Sequence, residues 1–171
     1  MRSYLKLINR ETPGNRSDIT PLFADFDALS QLVEDLVSQI GDIDVDFVAC
    51  IDALGFILGT SIAHRLEVGV IPVRKGGKLP VEADSIEFQD YTNQSKSLEL
   101  SRTAFPQDSR ILLVDEWSET GAQMQAAASL VERQGGVIVG IATINMDDLD
   151  ITSEIRRRYP VFTVWDDDAQ G

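Results

Sequence analysis

The stretch RILLVDEWSETGAQMQAAASLVERQGG, residues 110–136, decides the fold. Its apolar run, Ile111 to Val114, reads as a buried strand. The run ends on two adjacent acids, Asp115 and Glu116. A polar loop, 117–123, follows, and the spacing predicts an amphipathic helix opening at about Thr120–Gly121 and running to 134. The free N–H groups and positive dipole end of such a helix suit a phosphate. Two carboxylates beside it suit the hydroxyls of a sugar, or a hydrated Mg²⁺. Together these parts suggest a grip on a phosphorylated sugar.

Working outward, DFVACID (46–52) reads as a second buried strand that runs into Ala53, Leu54 and Gly55. A helix from Phe56 to about Leu66 and a strand GVIPVR (69–74) follow. Upstream, leucines and valines at helical spacing predict a helix over 28–40, with Asp27 as N-cap and Gly41 as its stop. Residues 1–24 are expected to be irregular. Downstream, a strand over 137–144, a short helix over 152–158 and a strand over 161–165 complete the pattern. The segment 76–96, opened by GGKLP, is expected to be a loop, and loops of that length are usually lids or binding loops. SLEL (97–100) is expected to be a short strand. Strands alternating with helices predict an α/β fold: one domain over 1–171, a mostly parallel sheet flanked by helices. Ligands bind such sheets outside the carboxyl ends of the strands. The turns at 53–55 and 115–123 both fall at that edge.

The 171 residues carry a formal net charge of −13. A surface this acidic repels nucleic acid and anionic membranes, and no apolar run approaches the ~20 residues of a membrane span. The start MRSYLKLINRETPG, without an apolar h-region, is not expected to act as a secretory signal. The single Cys50 cannot form an internal disulfide, which fits the cytoplasm. An anionic ligand would need a local positive site. Arg74, Lys75 and Lys78 form one within five residues. Arg156 to Arg158 are expected to complement a helix dipole. His64 is expected to have no catalytic role, Cys50 to be a small buried hydrophobe, and Trp117 to pack rather than stack on a ligand. Trp165 is expected in the core or an interface.

VDEWSETGAQ resembles the phosphoribosyl-diphosphate motif of the type I phosphoribosyltransferases. CIDALGFILGTSIAHRL, VIPVRKGGKLP, TPG, SDITPLF and SLELSRTAF resemble the adenine phosphoribosyltransferase branch, in order over roughly residues 10–145. The resemblance implies roles. Asp115 and Glu116 would hold the ribose hydroxyls. Glu119, Thr120, Gly121, Ala122 and Gln123 would cradle the 5-phosphate. Ala53, Leu54 and Gly55 would meet the pyrophosphate, and Arg74, Lys75 and Lys78 would neutralise it. Mg²⁺ would bridge pyrophosphate and ribose oxygens, with Asp115 and Glu116 as its nearest protein groups. The segment 79–96 would be the lid, and the protein would be a homodimer. Phe88 and Tyr91 in that segment are expected either to cover the base or to belong to a loop that is disordered or packed on a partner, and Glu87 falls where the family has a Glu–aromatic pair near the base, although the lid lengths differ.

The chain departs from that family pattern in three places. Ala122 and Gln123 stand where the phosphate loop has Gly and Thr. The Ala is expected to widen the loop if its backbone needs φ > 0, and Gln to donate through its amide. Leu54 replaces an Arg, and one lost charge-assisted contact is worth ~1.5–3 kcal/mol. Asn15 to Ser17 replace an apolar stretch that lies against the purine. The expected function is transfer of ribose 5-phosphate from phosphoribosyl diphosphate to a purine-type base, releasing pyrophosphate. The alternatives are a non-catalytic sensor of that diphosphate or a nucleotide, and a transferase for an unusual base.

Overall fold

Val48, Ala49, Cys50 and Ile51 are four consecutive residues with no exposed surface. Neighbours along a strand face opposite ways, so this strand needs cover on both sides. The computed structural model, which describes residues 2–13, 16–90, 92 and 94–165, shows what supplies it. After a 3-10 turn at Ser3–Leu7 come α1 (Thr20–Ala24), α2 (Phe26–Ile40), β1 (Phe47–Ile51), α3 (Gly55–Leu66) and β2 (Gly69–Lys75). Next are β3 (Ala83–Gln89), β4 (Ser95–Ser101), β5 (Arg110–Val114), β6 (Trp117–Ser118) and α4 (Ala122–Arg133). The last elements are β7 (Val137–Thr143), β8 (Asn145–Met146), α5 (Asp150–Arg158) and β9 (Val161–Thr163).

Seven strands form one sheet in the order β3-β4-β2-β1-β5-β7-β9. The run from β2 to β9 is parallel, and β3 and β4 add an antiparallel hairpin on one edge. Val48, Cys50, Leu112 and Val114 join a core with α2 and α3. Their neighbours Ala49, Ile51, Ile111 and Leu113 join a second core with α4. The α/β fold with a mostly parallel, helix-flanked sheet is therefore observed. Among the described residues no helix is long and apolar enough to cross a membrane.

Several elements differ from expectation. Asp25, not Asp27, caps α2; its carboxylate accepts from the Ala28 N–H at 2.9 Å. Residues 1–24 are not irregular throughout. The first turn is tied down by Arg2 and Tyr4, both on Asp35 at 2.7 Å, and α1 opens with Pro21 in its first turn. The segment 76–96 is no continuous loop. β3 pairs with β4 at seven consecutive positions. Ile86 and Phe88 face the second core, and Glu87 and Gln89 are exposed. Only two apolar residues carry the period-2 signal there, so the flanking polar residues hide it.

Candidate functional site

β1 and β5 lie side by side and parallel, with Phe47 against Ile111 and Cys50 against Val114. Their carboxyl ends therefore deliver the 53–55 turn and the acid pair to one edge. The two turns touch. A Cβ on Gly55 would lie 2.9 Å from the Val114 carbonyl oxygen and 3.0 Å from Asp115 Oδ1. Only glycine permits that approach.

Asp115 is 4% exposed. Its Oδ1 accepts from the Glu116 N–H at 2.9 Å and its Oδ2 from Gln123 Nε2 at 2.9 Å. Burial is the main cause that lifts its pKa well above the usual carboxylate range, and the neighbouring Glu116 adds to it. The two backbone and amide donors oppose that rise without cancelling it. Glu116 is half-buried and lines a large cavity.

The helix after the loop begins at Ala122, two residues later than the pattern suggests, because Gly121 is left-handed at φ 82°. A side chain on Gly121 would also strike Thr152 and Ile151 of α5. Ala122 itself takes a helical conformation; among described non-glycine residues only Glu67 and Asp108 have positive φ. The expected strain at Ala122 is thus absent. The Thr120 hydroxyl accepts from the Ala122 N–H at 3.3 Å. Gln123 directs its amide to Asp115 rather than into the loop, a departure from the expected phosphate contact.

Arg74 and Lys78 converge on Asp52, which directly follows β1 and precedes a cis peptide to Ala53. Arg74 Nε lies 3.1 Å and Lys78 Nζ 3.6 Å from Asp52 Oδ2. Lys75 joins through its backbone N–H at 3.5 Å while its side chain is exposed. Burial raises the Asp52 carboxyl, but Arg74, the Lys75 N–H and the nearby lysine charges outweigh it and hold the carboxyl below its usual range. Beside this cluster, the Glu99 carboxylate of β4 accepts from the backbone N–H groups of Gly77, Lys78 and Leu79. Neither Asp52 nor Glu99 stands out in the sequence, since Asp52 closes an ordinary apolar run and Glu99 sits inside a short alternating strand pattern.

A cavity of about 870 Å³ opens between the turns, lined by Leu54, Glu116, Trp117, Glu119, Arg16 and Trp165 among others. A smaller one of about 50 Å³ adjoins it at Asp115, Ser118, Thr120, Gly121, Gln123 and Phe88. Ser118 Oγ, in that smaller pocket, is buried with no hydrogen-bond partner among the described residues. Trp117 packs edge-on against Trp165 at 5.3 Å and donates to Asp147 at 3.2 Å, as well as lining both cavities. Arg156 does more than complement a helix end: it donates to the Met146 carbonyl at 2.9 Å and lines the large cavity. Arg16, on the other side, pairs with Glu119 at 3.0 Å. The sequence carries no sign of this contact between loops 103 positions apart. Leu54 is 40% exposed in the large cavity. His64 is exposed on α3, outside both cavities. Asn15 and Tyr91 lie outside the described residues.

Residues 18–166 match the family described as phosphoribosyl transferase domain. The chain is 37% identical over 162 residues to the adenine phosphoribosyltransferase of Chromohalobacter salexigens, covering 90% of this chain and 88% of that protein. It is 40% identical over 129 residues to that of Gloeobacter violaceus, covering 74% of each. The solved adenine phosphoribosyltransferase of Thermoanaerobacter pseudethanolicus superposes with a TM-score of 0.85 at 31% identity, over 94% of this chain and 95% of that one. The Saccharomyces cerevisiae enzyme, solved with an imino-altritol bisphosphate and adenine, gives 0.80 at 26% identity, over 95% and 99%. The chain therefore belongs to the phosphoribosyl transferase family, in its adenine phosphoribosyltransferase-like branch.

Proposed function

We propose that this chain transfers ribose 5-phosphate from phosphoribosyl diphosphate to adenine and releases pyrophosphate. The observation that carries the reading is the contact of Gly55 with Asp115, which joins the two ligand-facing turns into one site. Asp115 and Glu116 take the ribose hydroxyls. The backbone N–H groups of 119–123, with the Thr120 hydroxyl and the positive end of α4, take the 5-phosphate. Ala53, Leu54 and Gly55, with Arg74, Lys75 and Lys78, take the pyrophosphate. Arg74 and Lys78 now face the Asp52 carboxylate, so a bound pyrophosphate competes with it for them. The hairpin and its flanks, 76–96, serve as the lid.

The acceptor nitrogen forms its bond to the anomeric carbon as the bond to pyrophosphate breaks, with the electron pair leaving on pyrophosphate and the acceptor's proton lost. The transition state has oxocarbenium character, as in glycoside hydrolysis. The protein's share is positioning, charge stabilisation and exclusion of water. Among the described residues no three acids, histidines or cysteines gather as a metal cage. A carboxylate pair without a cage fits Mg²⁺, which keeps much of its water and is held largely by phosphate oxygens. Bound with the diphosphate, Mg²⁺ supplies neutralising charge to the leaving group. The chain works as a homodimer in the cytoplasm on this reading.

Leu54 favours a second reading, a sensor that binds the diphosphate without turnover, since it puts an apolar side chain where a cation would assist the leaving group. The test is pyrophosphate release with phosphoribosyl diphosphate, Mg²⁺ and a panel of bases. Release that depends on adenine is the expected result. Measurable binding of the diphosphate with no release on any base would replace the transferase with the sensor.

A further inference from the structure

Gln123 is the second residue of α4, so its backbone N–H belongs to the free helix end that faces the phosphate loop. Its side chain goes elsewhere. The amide Nε2 lies 2.9 Å from Asp115 Oδ2, eight positions back in the chain. An ionised carboxylate only accepts, so the amide is the donor. A side chain committed to the acid is withdrawn from the phosphate, and its use lies at Asp115.

Asp115 is held at both oxygens. Its Oδ1 takes the Glu116 N–H at 2.9 Å and lies against Gly55, so close that a Cβ there would be 3.0 Å away. Those contacts come from the two turns themselves and hold one end of the carboxylate. Among the described residues Gln123 is the one donor on Oδ2. A single hydrogen bond leaves a carboxylate free to turn about its last, broad torsion, and a second on the other oxygen fixes its plane. A carboxylate has about four lone-pair sites, so two are left for a ligand. They open on the small pocket, which Asp115 and Gln123 line together with Thr120 and Gly121. Glu116 lines the large cavity instead. A ribose that runs from a phosphate at Thr120 and Gly121 to a base in the large cavity passes between the two acids. It meets Asp115 on the pocket side, at the angle that Gln123 sets.

We infer that Gln123 is the positioning residue for Asp115: its amide sets the plane of the carboxylate, and with it the preference of this site for ribose over deoxyribose. The inference rests on the ribose role of the acid pair in the proposed function. It gives the Gln123 side chain a task separate from its backbone N–H in the phosphate cradle.

Gln123→Met keeps the length of the side chain and loses the donor. AMP, 2′-deoxy-AMP, 3′-deoxy-AMP and adenosine are titrated into wild type and variant, followed by tryptophan fluorescence. The variant should bind AMP about tenfold more weakly, the size of one hydrogen bond to a charged group. For the deoxy analogue that lacks the hydroxyl Asp115 takes, wild type and variant should agree within about twofold, and in an Asp115→Asn background Gln123→Met should change AMP binding by no more than that. All three nucleotides weakened alike, with adenosine unchanged, would return Gln123 to the phosphate and overturn the inference. All four ligands weakened alike, with a lowered melting temperature, would reduce the amide to a structural contact and overturn it too, as would unchanged AMP binding. The functional reading fails in a different way. A wild type that binds AMP and both deoxy analogues equally would remove the acid pair from the ribose and the inference with it. A wild type that releases no pyrophosphate with adenine, yet shows the expected pattern of binding, would end the transferase reading and leave Gln123 as the residue that orients Asp115.

Discussion

Burial turns Asp115 into a cost that the fold carries for its site. In the unfolded chain an aspartate ionises near pH 4. In the folded chain burial, then Glu116, raises that value. A raised carboxyl contributes stability that is full below the unfolded value and is lost as pH rises through the folded one. Asp115→Asn removes this loss. Its melting temperature should match the wild type near pH 4 and exceed it at pH 8, while activity falls about a hundredfold or more. Calorimetry at the two pH values with a pyrophosphate assay checks both; a variant no more stable than wild type at pH 8 would refute the argument. Cys50 lies under the same site, and burial, helped by the Asp115 charge, pushes its thiol up to about 12. Thiolate is the reactive form, so the folded protein should resist a thiol reagent at pH 8 and react only in denaturant. The acid pair was legible in the sequence because its members are adjacent and end an apolar run. The Gln123–Asp115 and Arg16–Glu119 contacts were not, because they depend on side-chain rotamers and on which loops meet.

At the scale of elements, β1, β5 and α4 followed from apolar periodicity, and their ends were right to within two residues. The expected strand over 97–100 falls within β4, but β3 did not follow, since it exposes polar residues and packs only Ile86 and Phe88, half-buried, against the core. Pairing with β4, not its own pattern, makes it a strand. The hairpin also explains how the GGKL turn is held. Glu99 is 8% exposed at the β4 position opposite Arg74 and receives three successive N–H groups. Burial acts to raise its pKa, but those N–H groups hold the carboxyl below its usual range. Glu99→Ala frees the turn. The amides of 77–79 should exchange fast where the wild type protects them, and stability should drop by about 2 kcal/mol, as for lost hydrogen bonds to a charged group. KM for phosphoribosyl diphosphate should rise with it, because Lys78 sits in that turn. Unchanged amide protection in the variant would show that the hairpin alone holds the turn.

Across the whole molecule two charge effects oppose each other as pH falls. At pH 7 the chain carries −13, and self-repulsion destabilises a compact state. Protonation toward the isoelectric point near 4.3 relieves that repulsion, and neutralising Asp115 adds to the gain. Against this stand carboxylates held below their usual range by partners: Asp18 by Thr20, Asp46 by Arg110, Asp90 chiefly by Thr92, with Asp52 and Glu99 as above. A depressed carboxyl contributes stability that is present above the unfolded value and is lost as pH falls through the folded one. For Asp46 the folded value is about 2, so its share disappears between about pH 4 and pH 2. That share ties the strand entry together, since Asp46 accepts from both the backbone N–H and the guanidinium of Arg110 at the start of β5. The melting temperature at fixed ionic strength should therefore rise or hold level from pH 8 to about 5 and fall steeply below 4. Asp46→Asn should flatten the fall below 4 and leave the limb above 5 unchanged in slope. Added salt should raise the pH 8 end most, because screening acts on the repulsion between exposed charges. A melting temperature that drops steadily from pH 8 to 5 would mean that paired carboxylates, not net charge and buried Asp115, govern stability near neutrality.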